Sequence, residues 1–152
     1  MTFFFDMDGT IANLYAVENW LPKLRASDPS PYADAAPMCD MHELTRLCQM
    51  LQHLGYRVGI ISWCSKCGTK EYNSAVRHAK RDWLKENFPV KFDEIHIVKY
   101  GTPKSKFCGE DDVLFDDEFP NRFDWELKNG WAVDPTIEQI PDFLRRFLPD
   151  EI

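Results

Sequence analysis

Phe3-Phe4-Phe5-Asp6-Met7-Asp8-Gly9-Thr10-Ile11 opens the chain with a continuous apolar run that stops at two carboxylates. Three successive phenylalanines leave no polar face, which suits a strand covered on both sides, as in a parallel sheet. In extended backbone, residues two apart leave on the same side, so Asp6 and Asp8 converge. Like charges that close need a cation or a shared proton, and hard oxygen donors beside phosphate oxygens suit Mg²⁺. Gly9 permits a sharp bend, and Thr10 can cap the turn or bond back to a carboxylate. Asp8-Gly9 is also a hairpin signal, which would fold Ile11-Ala12 back onto Phe3–Phe5.

The pattern recurs at Val113-Leu114-Phe115-Asp116-Asp117, again an apolar run ending in acids. A helix N-cap there would require only one of the two aspartates. Further short strands are predicted at Arg57–Ile61, ending at Ser62, at Glu94–Val98 and at Trp131–Val133. Between them, Leu44, Leu47, Cys48, Leu51 and Leu54 repeat at helical spacing up to Gly55. Val76, Ala79 and Trp83 do so before Pro89, and Ile140 to Leu148 make a last stripe. Strand alternating with helix predicts a three-layer α/β/α Rossmann-like sandwich on a mainly parallel five-stranded sheet. The whole chain, residues 1–152, reads as a single domain. A small cap-like insert of about 14–38 interrupts it, and its proline-rich part, 26–37, is predicted to be an irregular loop over the site.

In such sheets ligands bind beyond the carboxyl ends of the strands, where Asp6, Asp8, Thr10, Ser62, Asp116 and Asp117 collect. Residues 3–11 resemble the first signature motif of the haloacid dehalogenase superfamily of phosphohydrolases. Gly59-Ile60-Ile61-Ser62 resembles its second motif and Leu114-Phe115-Asp116-Asp117 its fourth, in the same order along the chain. The resemblance implies a Mg²⁺-dependent phosphomonoester hydrolase. Asp6 would form an aspartyl-phosphate and Asp8 would act as general acid and then base. Mg²⁺ would be held by Asp6, the backbone carbonyl of Asp8 and Asp116, with Asp117 bound through water, and Ser62 would bond a phosphate oxygen. The motif-three lysine is Lys104 or Lys106, of which Lys104, directly after Thr102-Pro103, is favoured. The insert and the Asp-Asp pair look similar to the 5′(3′)-deoxyribonucleotidase branch, whose inserts are longer, so the expected substrate is a small phosphorylated metabolite such as a nucleotide. Trp63, beside Ser62, could stack on a base or pack against the insert; Thr10 and Lys106 complete the candidate substrate contacts.

Two other functions remain from the sequence: a polynucleotide end phosphatase and a non-catalytic phosphate-binding module. The net charge of −7 argues against nucleic acid and against an anionic membrane surface, since both need a positive field. The start lacks a basic, long-apolar leader and no apolar run spans a membrane, so the location reads as cytoplasmic. Five cysteines form an odd set that fits reduced thiols, and Cys64/Cys67 lack a matched second half for a zinc site. Lys66, Lys70, Arg77, Lys80 and Arg81 read as a solvated helix face, and the five tryptophans, Trp63 aside, as core.

Overall fold

The computed structural model describes residues 1–150. In chain order its elements are β1 (Thr2–Phe5), β2 (Ala12–Asn13), α1 (Trp20–Arg25), α2 (Ser30–Asp34), β3 (Ala36–Pro37), α3 (Met41–His53) and β4 (Arg57–Trp63). They continue with α4 (Lys70–Asn87), β5 (Glu94–Val98), β6 (Val113–Phe115), α5 (Phe119–Glu126), β7 (Trp131–Val133) and α6 (Ile140–Arg145). Two 3-10 turns, Leu14–Ala16 and Lys104–Phe107, complete the set.

Phe3, Phe4 and Phe5 are buried because β1 is the middle strand of a five-stranded sheet in the order β5-β4-β1-β6-β7, with every pairing parallel. Phe3 and Phe5 face one layer, built with Leu44, Leu47 and Leu51 of α3, Ile140 and Leu144 of α6, and Trp83 and Leu84 near the end of α4. Phe4 faces the other, with Ile61, Leu114 and Trp125 of α5. Gly59 is required beside it, because a Cβ there would stand 2.6 Å from the Phe4 ring. This is an α/β Rossmann-like sandwich. β1 pairs with β4 and β6, which excludes the hairpin reading of Asp8-Gly9. Met7 instead accepts from the amides of Thr10, Ile11 and Ala12, and the chain turns into β2, which pairs with β3.

The register sets the site. Phe5 lies opposite both Ile60 and Phe115, so the next residues, Asp6 and Asp116, emerge side by side on adjacent strands. The Asp6 amide donates to the Phe115 carbonyl at 2.9 Å and the Asp116 amide to Val133 at 3.2 Å, which extends the ladder one step into the site.

Three expectations are corrected. The stretch 26–37 is not irregular throughout: Ser30–Asp34 is helical, because the Asp28 carboxylate accepts from the Ser30 amide at 2.9 Å and Pro31 falls where a helix tolerates it. Trp131 is exposed, since β7 is an edge strand. Lys80 is not on a solvated face but is among the most buried side chains described. The insert is fastened to α4. Tyr72 and Val76 share a cluster with Leu14 and Tyr32, the Tyr72 hydroxyl donates to the Asp28 carbonyl at 3.0 Å, and the Trp83 indole donates to the Ala35 carbonyl at 2.7 Å.

Candidate active site

A cavity of about 570 Å³ opens between the carboxyl ends of the strands and the insert. It is lined by Asp6, Asp8, Lys104 and Asp116 together with the aromatic rings of Tyr15, Trp20 and Tyr32 of the insert and of Trp63, Tyr72 and Tyr100. Trp63 packs on Tyr100 with ring centroids 4.9 Å apart and donates its indole N–H to the Thr102 carbonyl at 2.8 Å. That bond ties the wall to the segment carrying Lys104.

Lys104 is buried and its Nζ lies 2.7 Å from Asp6 Oδ1 and 2.7 Å from Asp116 Oδ2. Burial pulls its pKa down, but the two carboxylates outweigh burial and hold the ammonium above the usual lysine range. Thr10 Oγ1 lies 3.0 Å from Asp6 Oδ2 and accepts from the Asp117 amide at 3.2 Å. It therefore holds the carboxylates and lies outside the cavity lining, which corrects its placement as a substrate contact. Asp116 is fixed further by the Glu118 amide on Oδ1 at 2.9 Å and by Asn121 on Oδ2 at 3.1 Å.

Asp6, Asp116 and Asp117 bring carboxylate oxygens within 4.8 Å of one another. One ammonium serves three acids. Burial, then the charge of Asp6, raises Asp116 to about 6 and Asp117 to about 7. An oxygen-only donor set with unbalanced negative charge fits a hard divalent cation. The Asp8 side chain is not in this group, and of Asp8 only the backbone carbonyl is left for the ligand role that the resemblance implies. Its carboxylate turns to Lys80, whose Nζ lies 2.7 Å from Asp8 Oδ2, 2.6 Å from Ser62 Oγ and 2.8 Å from the Trp63 carbonyl. Burial raises the Asp8 pKa against the pull of Lys80.

Ser62 is fully buried and does not itself line the cavity; Lys80 is its hydrogen-bond partner. Lys106 is exposed, with its ammonium 5.1 Å from the Phe107 ring centroid, and it lies outside the cavity, which corrects its placement as a substrate contact. On a tight 3-10 turn, residues two apart diverge by roughly 240°, so Lys104 and Lys106 cannot face one site. Sequence reasoning missed Lys80, Asn121 and the insert's aromatic wall. The signal for Lys80 was present: it is four residues after Val76 and eight after Tyr72, on the buried stripe of α4.

No family model matches the chain, and no curated protein matches it. Among solved structures it is similar to D,D-heptose 1,7-bisphosphate phosphatase from Burkholderia thailandensis, with a TM-score of 0.57 and 11% identity, over 98% of this chain and 99% of that one. At that identity the likeness is one of fold. No helix among the described residues is long and apolar enough to cross a membrane.

Proposed function

We propose that this chain is a Mg²⁺-dependent phosphomonoester hydrolase that works through an aspartyl-phosphate on Asp6. The observation that carries the reading is the pairing of Asp6 with Asp116 across one buried lysine, 2.7 Å to each, at the mouth of a parallel sheet. An Asp6 oxygen attacks phosphorus and the ester oxygen departs, taking the proton that Asp8 carries. Burial favours that protonated form of Asp8. Asp8 then removes a proton from water, which attacks the acyl phosphate and frees Asp6 and inorganic phosphate. Lys104 offsets charge as an anionic nucleophile meets an anionic ester. Mg²⁺ held by Asp6 and Asp116, with Asp117 beside them, would add positive charge at the transferring phosphoryl group.

The aromatic walls fit a substrate with a planar face, so a mononucleotide is the favoured class within small phosphorylated metabolites. The test is a panel of sugar phosphates, mononucleotides and 5′-phosphorylated oligonucleotides, with Mg²⁺ and with EDTA. Mg²⁺-dependent phosphate release, greatest from mononucleotides, is expected. Release that survives chelation, or none from any ester, would overturn the reading.

A further inference from the structure

Lys80 sits in the middle of α4, on the face shared with Tyr72, Val76 and Trp83, and is 1% exposed. An ammonium has three N–H donors and no acceptor. All three are engaged, by Asp8 Oδ2, Ser62 Oγ and the Trp63 carbonyl, and the Tyr32 ring of the insert covers the group at 5.0 Å. No donor is left for a ligand, so Lys80 acts on the site only through the groups it holds. A helix that merely packed the insert would carry an apolar residue at this turn, since burying an ammonium is costly even when its partners are met.

The clamp makes the two oxygens of Asp8 unequal. Oδ2 belongs to the ion pair, while Oδ1 takes no hydrogen bond from the described residues and Asp8 lines the cavity. Proton exchange with a leaving group needs one carboxyl oxygen held within hydrogen-bond reach. Building on the phosphohydrolase reading, we propose that Lys80 is a positioning residue: it fixes Asp8 by Oδ2, with Ser62 and the end of β4 as its anchors, so that Oδ1 alone exchanges the proton with the ester oxygen. In the first half-reaction that proton moves from Oδ1 to the departing oxygen, and in the second it returns to Oδ1 from water.

The test compares 4-nitrophenyl phosphate, whose leaving oxygen needs no proton, with an alkyl phosphate, whose leaving oxygen does. Lys80→Met should lower kcat for the alkyl ester about 100-fold, and kcat for the aryl ester less than about tenfold, because general acid catalysis contributes about that much only where a proton is required. KM should change little for either. On an Asp8→Asn background, Lys80→Met should cause no further loss with the alkyl ester. Equal falls for both esters in a folded variant, or losses that multiply in the double variant, would overturn the positioning role. If Lys80→Met does not fold, Lys80→Arg carries the comparison, because its planar fork cannot aim three donors as an ammonium does. The alkyl-to-aryl gap should open again, and a wild-type ratio overturns the proposal. A wild-type protein inert towards both esters sinks the phosphohydrolase reading itself, an outcome distinct from an active enzyme with an unchanged ratio.

Discussion

Two buried lysines divide the acidic groups of this site unequally. Lys104 enters from a short 3-10 turn after β5 and faces Asp6 and Asp116, with Asp117 nearby. Lys80 enters from the middle of α4 and faces one carboxylate, Asp8. On the Lys80 side one cation faces one acid, and the remaining donors go to a hydroxyl and a carbonyl. On the Lys104 side three acids share one cation, and two of them are pushed up towards neutrality. On the proposed reading, the difference marks where a divalent cation would have a role and where it would have none. It also separates, on the same reading, nucleophile from acid–base group: Asp6 faces Lys104 beside a second acid, and Asp8 faces Lys80 alone.

The sharpest way to break that contrast is to remove the nucleophile. Asp6→Asn should lower turnover by about three orders of magnitude or more, as loss of a covalent nucleophile does. The variant should remain folded, because Asn keeps the volume. Turnover within about tenfold of wild type would place covalent chemistry elsewhere. Next in size is Lys104→Ala, expected to cost about 100-fold in kcat by leaving phosphate and carboxylates undercompensated. Lys106→Ala, on the exposed side of the same turn, should leave kcat unchanged. Steady-state assays on both variants decide the matter, and the reverse order would mean that the ammonium held between Asp6 and Asp116 is not the one used.

A smaller effect is expected at Gly9. It has φ +80°, and a Cβ there would meet Asp117 Oδ2 at 2.4 Å. Gly9→Ala should destabilise the chain by about 1–2 kcal/mol from the left-handed backbone alone. It should also weaken Mg²⁺ activation, because Asp117 must move. A raised half-saturation for Mg²⁺ with a modest drop in kcat is the expected pattern; an unchanged Mg²⁺ dependence would remove Asp117 from the cation's surroundings.

Legibility in the sequence follows the same division. The sheet could be read because its two central strands, β1 and β6, are short, continuously apolar and followed by acids, so pattern and site coincide at Phe5-Asp6 and Phe115-Asp116. Lys104 was legible for a local reason: it follows a turn just past a strand end, where such sheets keep their functional residues. Lys80 was hidden between Arg77 and Arg81, in a stretch where Lys70 and Arg81 do face solvent while Arg77 donates to the Ile97 carbonyl. Only the helical phase relative to Tyr72 and Val76 distinguishes it, and its partners lie 72 and 18 residues away. The insert was misread in part because three prolines suggest irregular chain. The Asp28 carboxylate, which accepts from the Ser30 amide, and packing on α4 supply what intrinsic propensity does not.

The smallest prediction concerns stability without metal. An unfolded aspartate titrates near ~3.9, whereas Asp116 and Asp117 are raised to about 6 and about 7 in the folded chain. Between those limits the folded state holds protons that the unfolded state has released. Linkage then makes the contribution of these groups fully present below about pH 4 and lost as pH rises through about 7. Discounted for solvent screening of the half-exposed Asp117, about 1 kcal/mol remains, so in EDTA melting at pH 5.5 should exceed melting at pH 7.5 by about 2–4 °C in a chain of this size. Asp117→Asn should flatten most of that slope. Mg²⁺ binds the deprotonated acids, so it should raise the melting temperature more at pH 7.5 than at pH 5.5 and close the gap. Equal stabilisation by Mg²⁺ at the two pH values would show that the ion does not engage these carboxylates, and the contrast between the two lysine environments would lose its electrostatic basis.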